Sequence, residues 1–278
     1  MASVAEDDLR ADFVRELSNH VVAFVANTVL LEDDGSIKAE GFAWSSGFLI
    51  RIHAQNFWVT AGHCIRDFER DCLNKPNVTA YGKGFMDCFG SNASFKEVLP
   101  CPYDAGDAIM VYRKNPHLDF ALLPLSDLIC SGLARNGIRV VTREMWLDRP
   151  ERRYFEYKVI GFPKHGAEKM TQKPSWGLRP AAIGVHRISA ADVPGCPHDD
   201  SWFIGRVRSG ADEFKSVEGM SGGPVFAFYK DQNGGTRYDI IAVQSSWFQD
   251  SRVVFACPLG LFAEMLHRAV EESKGNQQ

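Results

Sequence analysis

The sequence predicts an all-β, antiparallel architecture, a barrel or sandwich, with a helix at each end. Three observations point there: many short apolar runs broken by turn residues, almost no helical periodicity in the interior, and a broad apolar face in the last segment. Residues 5–18 place Leu9, Phe13, Val14 and Leu17 at helical spacing behind the acids Glu6, Asp7 and Asp8, as a short amphipathic N-terminal helix requires. Val21 to Val25 reads as the first strand. Gly41 to Ile52 and Phe57 to Ala61 read as two strands around a turn at His53-Ala54-Gln55-Asn56. Phe120 to Leu125 is a short buried run. Further strands are expected at Arg139–Trp146, Tyr157–Phe162, Ala181–Ile188, Trp202–Val207, Val225–Tyr229, Asp239–Trp247 and Arg252–Ala256. Asp231-Gln232-Asn233-Gly234-Gly235 is a hairpin loop built from residues that tolerate positive φ. Pro258 to Glu272 closes the chain as a helix, with Leu259, Leu261, Phe262, Met265, Leu266 and Val270 on one face. Small and loop-forming residues over Ser126–Gly137 mark a division between two halves.

The chain has 278 residues, of which 45% are hydrophobic and 24% charged, enough to bury a core without staples and unlike collagen, coiled coil or a disordered chain. Its formal net charge of −4 gives no bulk attraction to nucleic acid. The most apolar early stretch, Val21 to Leu31, is interrupted by Asn27 and Thr28 and is far short of the ~20 residues a membrane span needs. The start of the chain is acidic where a secretory signal is basic. Seven cysteines, an odd count in a long chain, read as free thiols in a reducing compartment rather than a disulfide framework, so a cytoplasmic location is expected.

Three segments stand out chemically. In Trp58-Val59-Thr60-Ala61-Gly62-His63-Cys64 a histidine follows an apolar strand on a turn of small residues. In His117-Leu118-Asp119-Phe120 a lone acid precedes a buried run. In Glu218-Gly219-Met220-Ser221-Gly222-Gly223-Pro224 glycines enclose a serine. A serine hydroxyl is a poor nucleophile until a base takes its proton; imidazole has the right basicity, and a carboxylate fixes its tautomer. Glycines beside the serine let two backbone N–H groups, those of Gly219 and Ser221, face the oxyanion of an attacked carbonyl. Each segment alone is as well explained by a turn, a cap or a glycine-rich hairpin. All three together, in the order His, Asp, Ser, are not.

These segments resemble the signature blocks of the trypsin/chymotrypsin-like serine peptidases, over roughly Ser18 to Phe262, and are more similar to the family's intracellular and bacterial branches than to its secreted enzymes. The resemblance implies two antiparallel six-stranded β-barrels with the active site between them, here divided as a helical extension (1–18), a first barrel (19–130), a second barrel (131–257) and a C-terminal helix and tail (258–278). It implies His63 as general base, Asp119 as its orienting acid, Ser221 as nucleophile, and Gly219 with Ser221 as oxyanion hole. Val159-Ile160-Gly161-Phe162-Pro163 resembles a strand of the second barrel. A protein or peptide substrate and no metal or organic cofactor follow. Two departures matter. Met220 stands where zymogen-activated members carry an aspartate, and no Ile-Val-Gly-Gly-like start is present, so activation by propeptide removal is not expected; the loop is either already formed or ordered by a partner protein or ligand. Cys64 lacks the disulfide mate of secreted members, the chain having Ser45-Ser46-Gly47 there. As a strand-end neighbour of His63 it is expected to point the other way, as a small buried thiol.

For substrate selection the resemblance points to the segment before Ser221, to the strand near Gln244-Ser245-Ser246-Trp247, and to the loop after it. Counting back six residues from Ser221 gives Lys215, and Arg252 lies near the far wall; a basic residue at the pocket base would favour an acidic side chain before the cut bond. A solvated loop lysine is the plainer reading. Either Ser245 or Ser246 is expected to support Asp119. Cys196-Pro197-His198-Asp199-Asp200 has metal-ligand types but no second ligand pair, so it reads as a polar loop. Lys164, Lys169, Lys173 and Arg179 with Trp176 form either an exosite for an acidic partner or a solvated loop.

Overall fold

The computed structural model describes residues 14–86, 101–102, 118–146, 149, 151–164, 167–169, 176–178, 180–208 and 216–275. Of the expected N-terminal helix, residues 14–18 are helical and residues 1–13 lie outside the described residues.

Strands β1 (Ala23–Leu31), β2 (Ile37–Ser45), β3 (Phe48–Ile52) and β4 (Gln55–Thr60) follow in order. The single strand expected over Gly41–Ile52 is two strands, β2 and β3, because the chain breaks at Ser46-Gly47. The turn is shorter than expected, leaving Gln55 and Asn56 paired in β4. Helix α1 (Gly62–Phe68) then runs into a π-helical turn (Glu69–Leu73), where no interior helix was expected. Strands β5 (Val78–Met86), β6 (Cys101–Pro102) and β7 (Ala121–Leu125) complete this half. Its strands form a four-stranded sheet in the order β2-β1-β5-β6 and a three-stranded sheet in the order β3-β4-β7. An antiparallel bridge between Val21 and Phe48 joins them. The described residues of the first half thus form two linked sheets, and the six-stranded closure expected there falls in part on 87–100 and 103–117, outside the described residues.

The stretch read as a loop over Ser126–Gly137 contains helix α2 (Asp127–Arg135), N-capped by the Ser126 hydroxyl, which accepts from the Ile129 N–H. The strand expected over Arg139–Trp146 is not one. Val141 makes a single parallel bridge to Ile50, and Arg143–Trp146 forms the short helix α3.

The second half does close. Strands β8 (Tyr154–Gly161), β11 (Ala181–Arg187), β12 (Phe203–Val207), β13 (Pro224–Lys230), β14 (Thr236–Phe248) and β15 (Val253–Pro258) form a six-stranded barrel in the order β11-β12-β15-β14-β13-β8, and β9 (Ala167–Lys169) pairs with β10 (Trp176–Leu178) beside it. Helix α4 (Leu259–Gly275) closes the chain. Alternation along the barrel strands is weak because most of their residues are buried; in β13 the first five are.

One apolar cluster spans both halves. Phe48, Ile50, Val59 and Phe120 pack with Phe162, Phe226, Val243 and Phe262. Phe120 stacks on Phe262, ring centroids 3.9 Å apart, which fixes α4 against the residue next to Asp119. At the start of β8 the Arg152 guanidinium meets the Asp239 carboxylate, which also accepts from the Tyr154 hydroxyl at 2.8 Å, and the guanidinium lies 4.2 Å from the centre of the Tyr229 ring. The side chain of Asp239 is 3% exposed and that of Arg152 14%, so removing either leaves a largely buried charge without its counter-ion. Arg152→Ala is expected to lower the unfolding free energy by about 3 kcal/mol in a denaturant titration.

Candidate active site

Sheet register brings the first two chemical segments together. In the β4–β7 pair Thr60 stands opposite Ala121, so the residues just after β4 and just before β7 leave the sheet at one edge. There the chain enters α1, and its first turn has backbone N–H groups with no helical acceptor. Asp119 supplies one: its Oδ1 accepts from the His63 N–H at 2.8 Å, while its Oδ2 lies 2.7 Å from the His63 ring Nδ1. One carboxylate thus holds both the main chain and the ring of His63. Because a carboxylate only accepts, the proton sits on Nδ1 and Nε2 faces away from it.

A third group closes on Asp119 from the other half of the molecule. The Ser245 hydroxyl, on β14, donates to Asp119 Oδ2, which resolves the choice left open between Ser245 and Ser246. Arg66, one turn further along α1, brings its Nη2 within 3.7 Å of Oδ1. Burial works to raise the Asp119 pKa, but the bonds from His63 and Ser245 outweigh it and hold the carboxyl below its ordinary value. For His63 burial works downward, and the hydrogen bond to Asp119 together with the nearby Cys64 sulfur outweighs it, pushing the imidazole up to about 10.

The serine loop is set by its carbonyls. Glu218 O accepts from the Lys164 N–H at 2.7 Å, and Met220 O accepts from the Gly223 N–H at 2.9 Å. In a trans peptide the N–H points opposite to the C=O, so these bonds turn the Gly219 and Ser221 N–H groups the other way. Among the described residues neither of those two N–H groups has an acceptor, while those of Met220, Gly222 and Gly223 do. Gly219 O accepts from the Ser46 hydroxyl at 3.0 Å, and Ser46 Oγ in turn accepts from the Phe162 N–H at 2.8 Å. Gly219 has φ +89°, and a Cβ there would lie 2.8 Å from Phe162 O. Gly222 has φ +91°, and a Cβ there would collide with Ser46 O and Thr60 Oγ1. The two glycines are needed for different contacts made by one bend.

His63, Ser221 and Gly219 line a single hollow of about 360 Å³ whose apolar wall includes Phe42 and Trp44. The Ser221 hydroxyl donates to Ser245 O at 3.1 Å rather than to His63. Cys64 Sγ lies 3.7 Å from His63 Nε2 and donates to the main-chain carbonyl of Ser221 at 3.5 Å. The expectation that Cys64 points away from His63 is wrong. Strand alternation does not apply, because both residues lie in the first turn of α1.

Lys215 lies outside the described residues, as do Lys173 and Arg179. Lys164 pairs with Glu218 at 2.9 Å on the surface. Ser245, Ser246 and Trp247 do not line the hollow: Ser245 is buried against Asp119, Ser246 is half-buried, and Trp247 packs on the barrel cluster that contains Met220 and Val225. The 196–200 segment is a polar loop, with Asp200 accepting from the Ala190 N–H at 2.7 Å. No group of three metal-ligating side chains occurs among the described residues.

Gln244 was named only as part of the 244–247 strand expected to line the primary pocket. It is fully buried behind the serine loop, its backbone exchanging hydrogen bonds with Gly222 and Gly223 at 2.7 and 2.8 Å. Both polar atoms of its side chain lack a partner among the described residues. No sequence pattern distinguishes it from an ordinary strand residue.

No family model and no curated protein matches the sequence. Among solved structures the chain is similar to the thermostable serine protease AL20 from an extremophilic microorganism, at 14% identity over 92% of this chain and 98% of that one, TM-score 0.45. It is also similar to the protease Anisep from Arthrobacter nicotinovorans, at 18% identity over 86% of this chain and 90% of that one, TM-score 0.43.

An unmet buried polar group costs roughly 1–3 kcal/mol, and an apolar side chain of similar shape removes the penalty. Gln244→Leu is therefore expected to raise the unfolding free energy by about 1–2 kcal/mol in denaturant melts.

Proposed function

We propose that the protein is a serine endopeptidase that cleaves peptide bonds through Ser221, His63 and Asp119, on a chymotrypsin-like arrangement in which the two linked N-terminal sheets are the counterpart of the C-terminal barrel. The observation that carries this reading is the grip of Asp119 on His63, at 2.8 Å to its N–H and 2.7 Å to its ring, with Ser221 in the same hollow.

In the proposed reaction Ser221 Oγ turns about χ1 from Ser245 O to His63 Nε2 and attacks the substrate carbonyl as its proton passes to the imidazole. The oxyanion is held by the Gly219 and Ser221 N–H groups, each worth ~3 kcal/mol in the transition state. His63 then gives the proton to the leaving amine, and water releases the acyl group by the reverse sequence. The imidazolium formed on the way is stabilised by Asp119, which keeps its negative charge with help from Ser245. The loop needs no new N-terminus on this reading: Met220 is fully buried, and the carbonyls around it are already bonded to Lys164, Ser46 and Gly223. Free thiols at Cys64, Cys72, Cys130, Cys196 and Cys257 support a reducing compartment.

A restricted form of the same reading is favoured by the resting geometry. With Ser221 Oγ on Ser245 O and the proton affinity of His63 raised by Asp119 and Cys64, the enzyme waits for a particular substrate, partner or ligand to align it. A dedicated enzyme of this kind is expected to cut generic casein poorly.

A fluorophosphonate probe should label the wild-type chain, and Ser221→Ala should abolish labelling; a wild type left unlabelled, or a variant labelled equally, contradicts the proposal and favours a binding protein on the same scaffold. His63 must be neutral to act as a base, so kcat/KM is expected to climb through the alkaline range toward pH 10. Cys64→Ala, which removes one of the raising influences, should move that climb to lower pH in a pH–rate profile. The same shift makes His63 a stabilising group below its ordinary 6.5, with the contribution lost as pH rises from there through about 10.

A further inference from the structure

The hollow that holds Ser221 is one-sided. Most of its wall comes from Phe42–Ser45 of β2, from the face of α1 that begins at His63, and from Gly219 in the serine loop; β14 and β15 contribute nothing to it. On the proposed reading three bonds leave the attacked carbon in three directions. Its oxygen turns to the Gly219 and Ser221 N–H groups, its leaving nitrogen to His63 Nε2, which returns the proton, and its acyl chain away from both. Cys64 Sγ, in the wall of the hollow, lies 3.7 Å from that Nε2. The hollow therefore receives the residue that the leaving nitrogen carries.

Its wall sorts into an aromatic floor and a charged rim. Phe42 and Trp44 are two apart on β2, which puts them on one face, and they stack with ring centroids 5.8 Å apart and planes at 27°. The Trp44 indole N–H donates to Phe162 O at 3.1 Å, so what Trp44 offers the hollow is ring surface. Behind them Phe24 meets Phe68 edge to face at 5.3 Å. Cys64 and Cys72 add sulfur, which packs favourably on aromatic edges.

The three carboxylates in the wall stand at its solvent-exposed rim, and each is paired. Asp67 meets Arg70 at 2.9 Å, Asp71 meets the same guanidinium at 2.6 Å, and Glu218 meets Lys164 at 2.9 Å. Exposed pairs of this kind contribute little and give weak purchase to a further cation. A floor of rings with matched charges at its edge fits a flat apolar side chain, which stacks on Trp44 and Phe42 and brings no polar atom that needs a partner. A volume of about 360 Å³, at the lower end of the range for ligand sites, suits one such residue.

We infer that the enzyme selects its cleavage site by the residue after the cut bond, that this residue is aromatic, and that Trp44 and Phe42 read it. The inference rests on the peptidase reading of Ser221 and goes beyond it in naming the substrate.

The test runs the leaving step in reverse. Ser221 Oγ of the full chain takes the acetyl group from p-nitrophenyl acetate as p-nitrophenol leaves. An amino-acid amide then competes with water: its nitrogen attacks the acetyl carbon, the bond from that carbon to Oγ breaks, and the amine proton passes by way of His63 Nε2 to Ser221 Oγ. An amine attacks from the place where a leaving amine departs, so the yields of N-acetyl product from phenylalaninamide, argininamide and glycinamide report on the hollow. Phenylalaninamide is expected to outcompete each of the other two by roughly tenfold. Trp44→Ala and, separately, Phe42→Ala should narrow that ratio to within about threefold. The ratio is read inside each variant, so a change in overall rate does not enter it. Equal yields from the wild-type acyl-enzyme, argininamide ahead of phenylalaninamide, or a ratio indifferent to both variants overturns the inference and leaves the peptidase reading standing. A wild type that releases p-nitrophenol no faster than Ser221→Ala contradicts the peptidase reading, and the inference falls with it.

Discussion

The whole site depends on a single carboxylate that three parts of the chain share. Asp119 leaves β7 at the edge where α1 begins, accepts from the backbone and ring of His63, and receives the hydroxyl of Ser245 from the opposite half. It is a helix cap, a tautomer lock and a bond between halves in one group. The stacking of Phe120 on Phe262 and the apolar cluster common to both halves keep it there. A charge so placed is tolerable only because each oxygen has partners; the same partners hold its proton affinity down.

The serine loop is built on a separate principle. Its carbonyls are bonded outward, to Lys164, Ser46 and Gly223, and this leaves the Gly219 and Ser221 N–H groups without acceptors beside Ser221. On the proposed reading these unmet donors and the unmet Gln244 amide are a stability cost carried at the site rather than in the rest of the core. The two structural devices meet at Cys64, whose sulfur lies against both the imidazole and the serine carbonyl. That contact raises the proton affinity of His63 and connects the state of the thiol to the chemistry proposed for the pair.

The strands of the C-terminal barrel were legible because each contains a short apolar or β-branched stretch between turn residues, and the hairpin at 231–235 formed where Asn and Gly predicted it. The convergence of His63 and Asp119 was legible as motif order, although its geometric cause, the opposition of Thr60 and Ala121, is a matter of register that sequence does not carry. Short helices were the main loss. In α1 only Gly62, Ile65 and Phe68 are buried, too few residues to reveal a period, and α2 buries Leu133 alone. Missing α1 produced the wrong expectation for Cys64. Arg143–Trp146 looked like a strand because its apolar residues adjoin Val140 and Val141, yet a four-residue helix settles there once Val141 bridges to Ile50. Closure of the first half into a barrel was implied by resemblance rather than by any residue; the described residues there form two linked sheets, and 87–100 and 103–117 lie outside them.

If Asp119, His63 and Ser221 act as one unit, their removal cannot be additive. The most direct measurement is kcat/KM for peptide cleavage by Asp119→Ala, Ser221→Ala and the double variant. Asp119→Ala alone should cost about 10⁴-fold, and the double variant should be no slower than Ser221→Ala. Losses that multiply, or an Asp119→Ala chain as active as the wild type, would contradict the account.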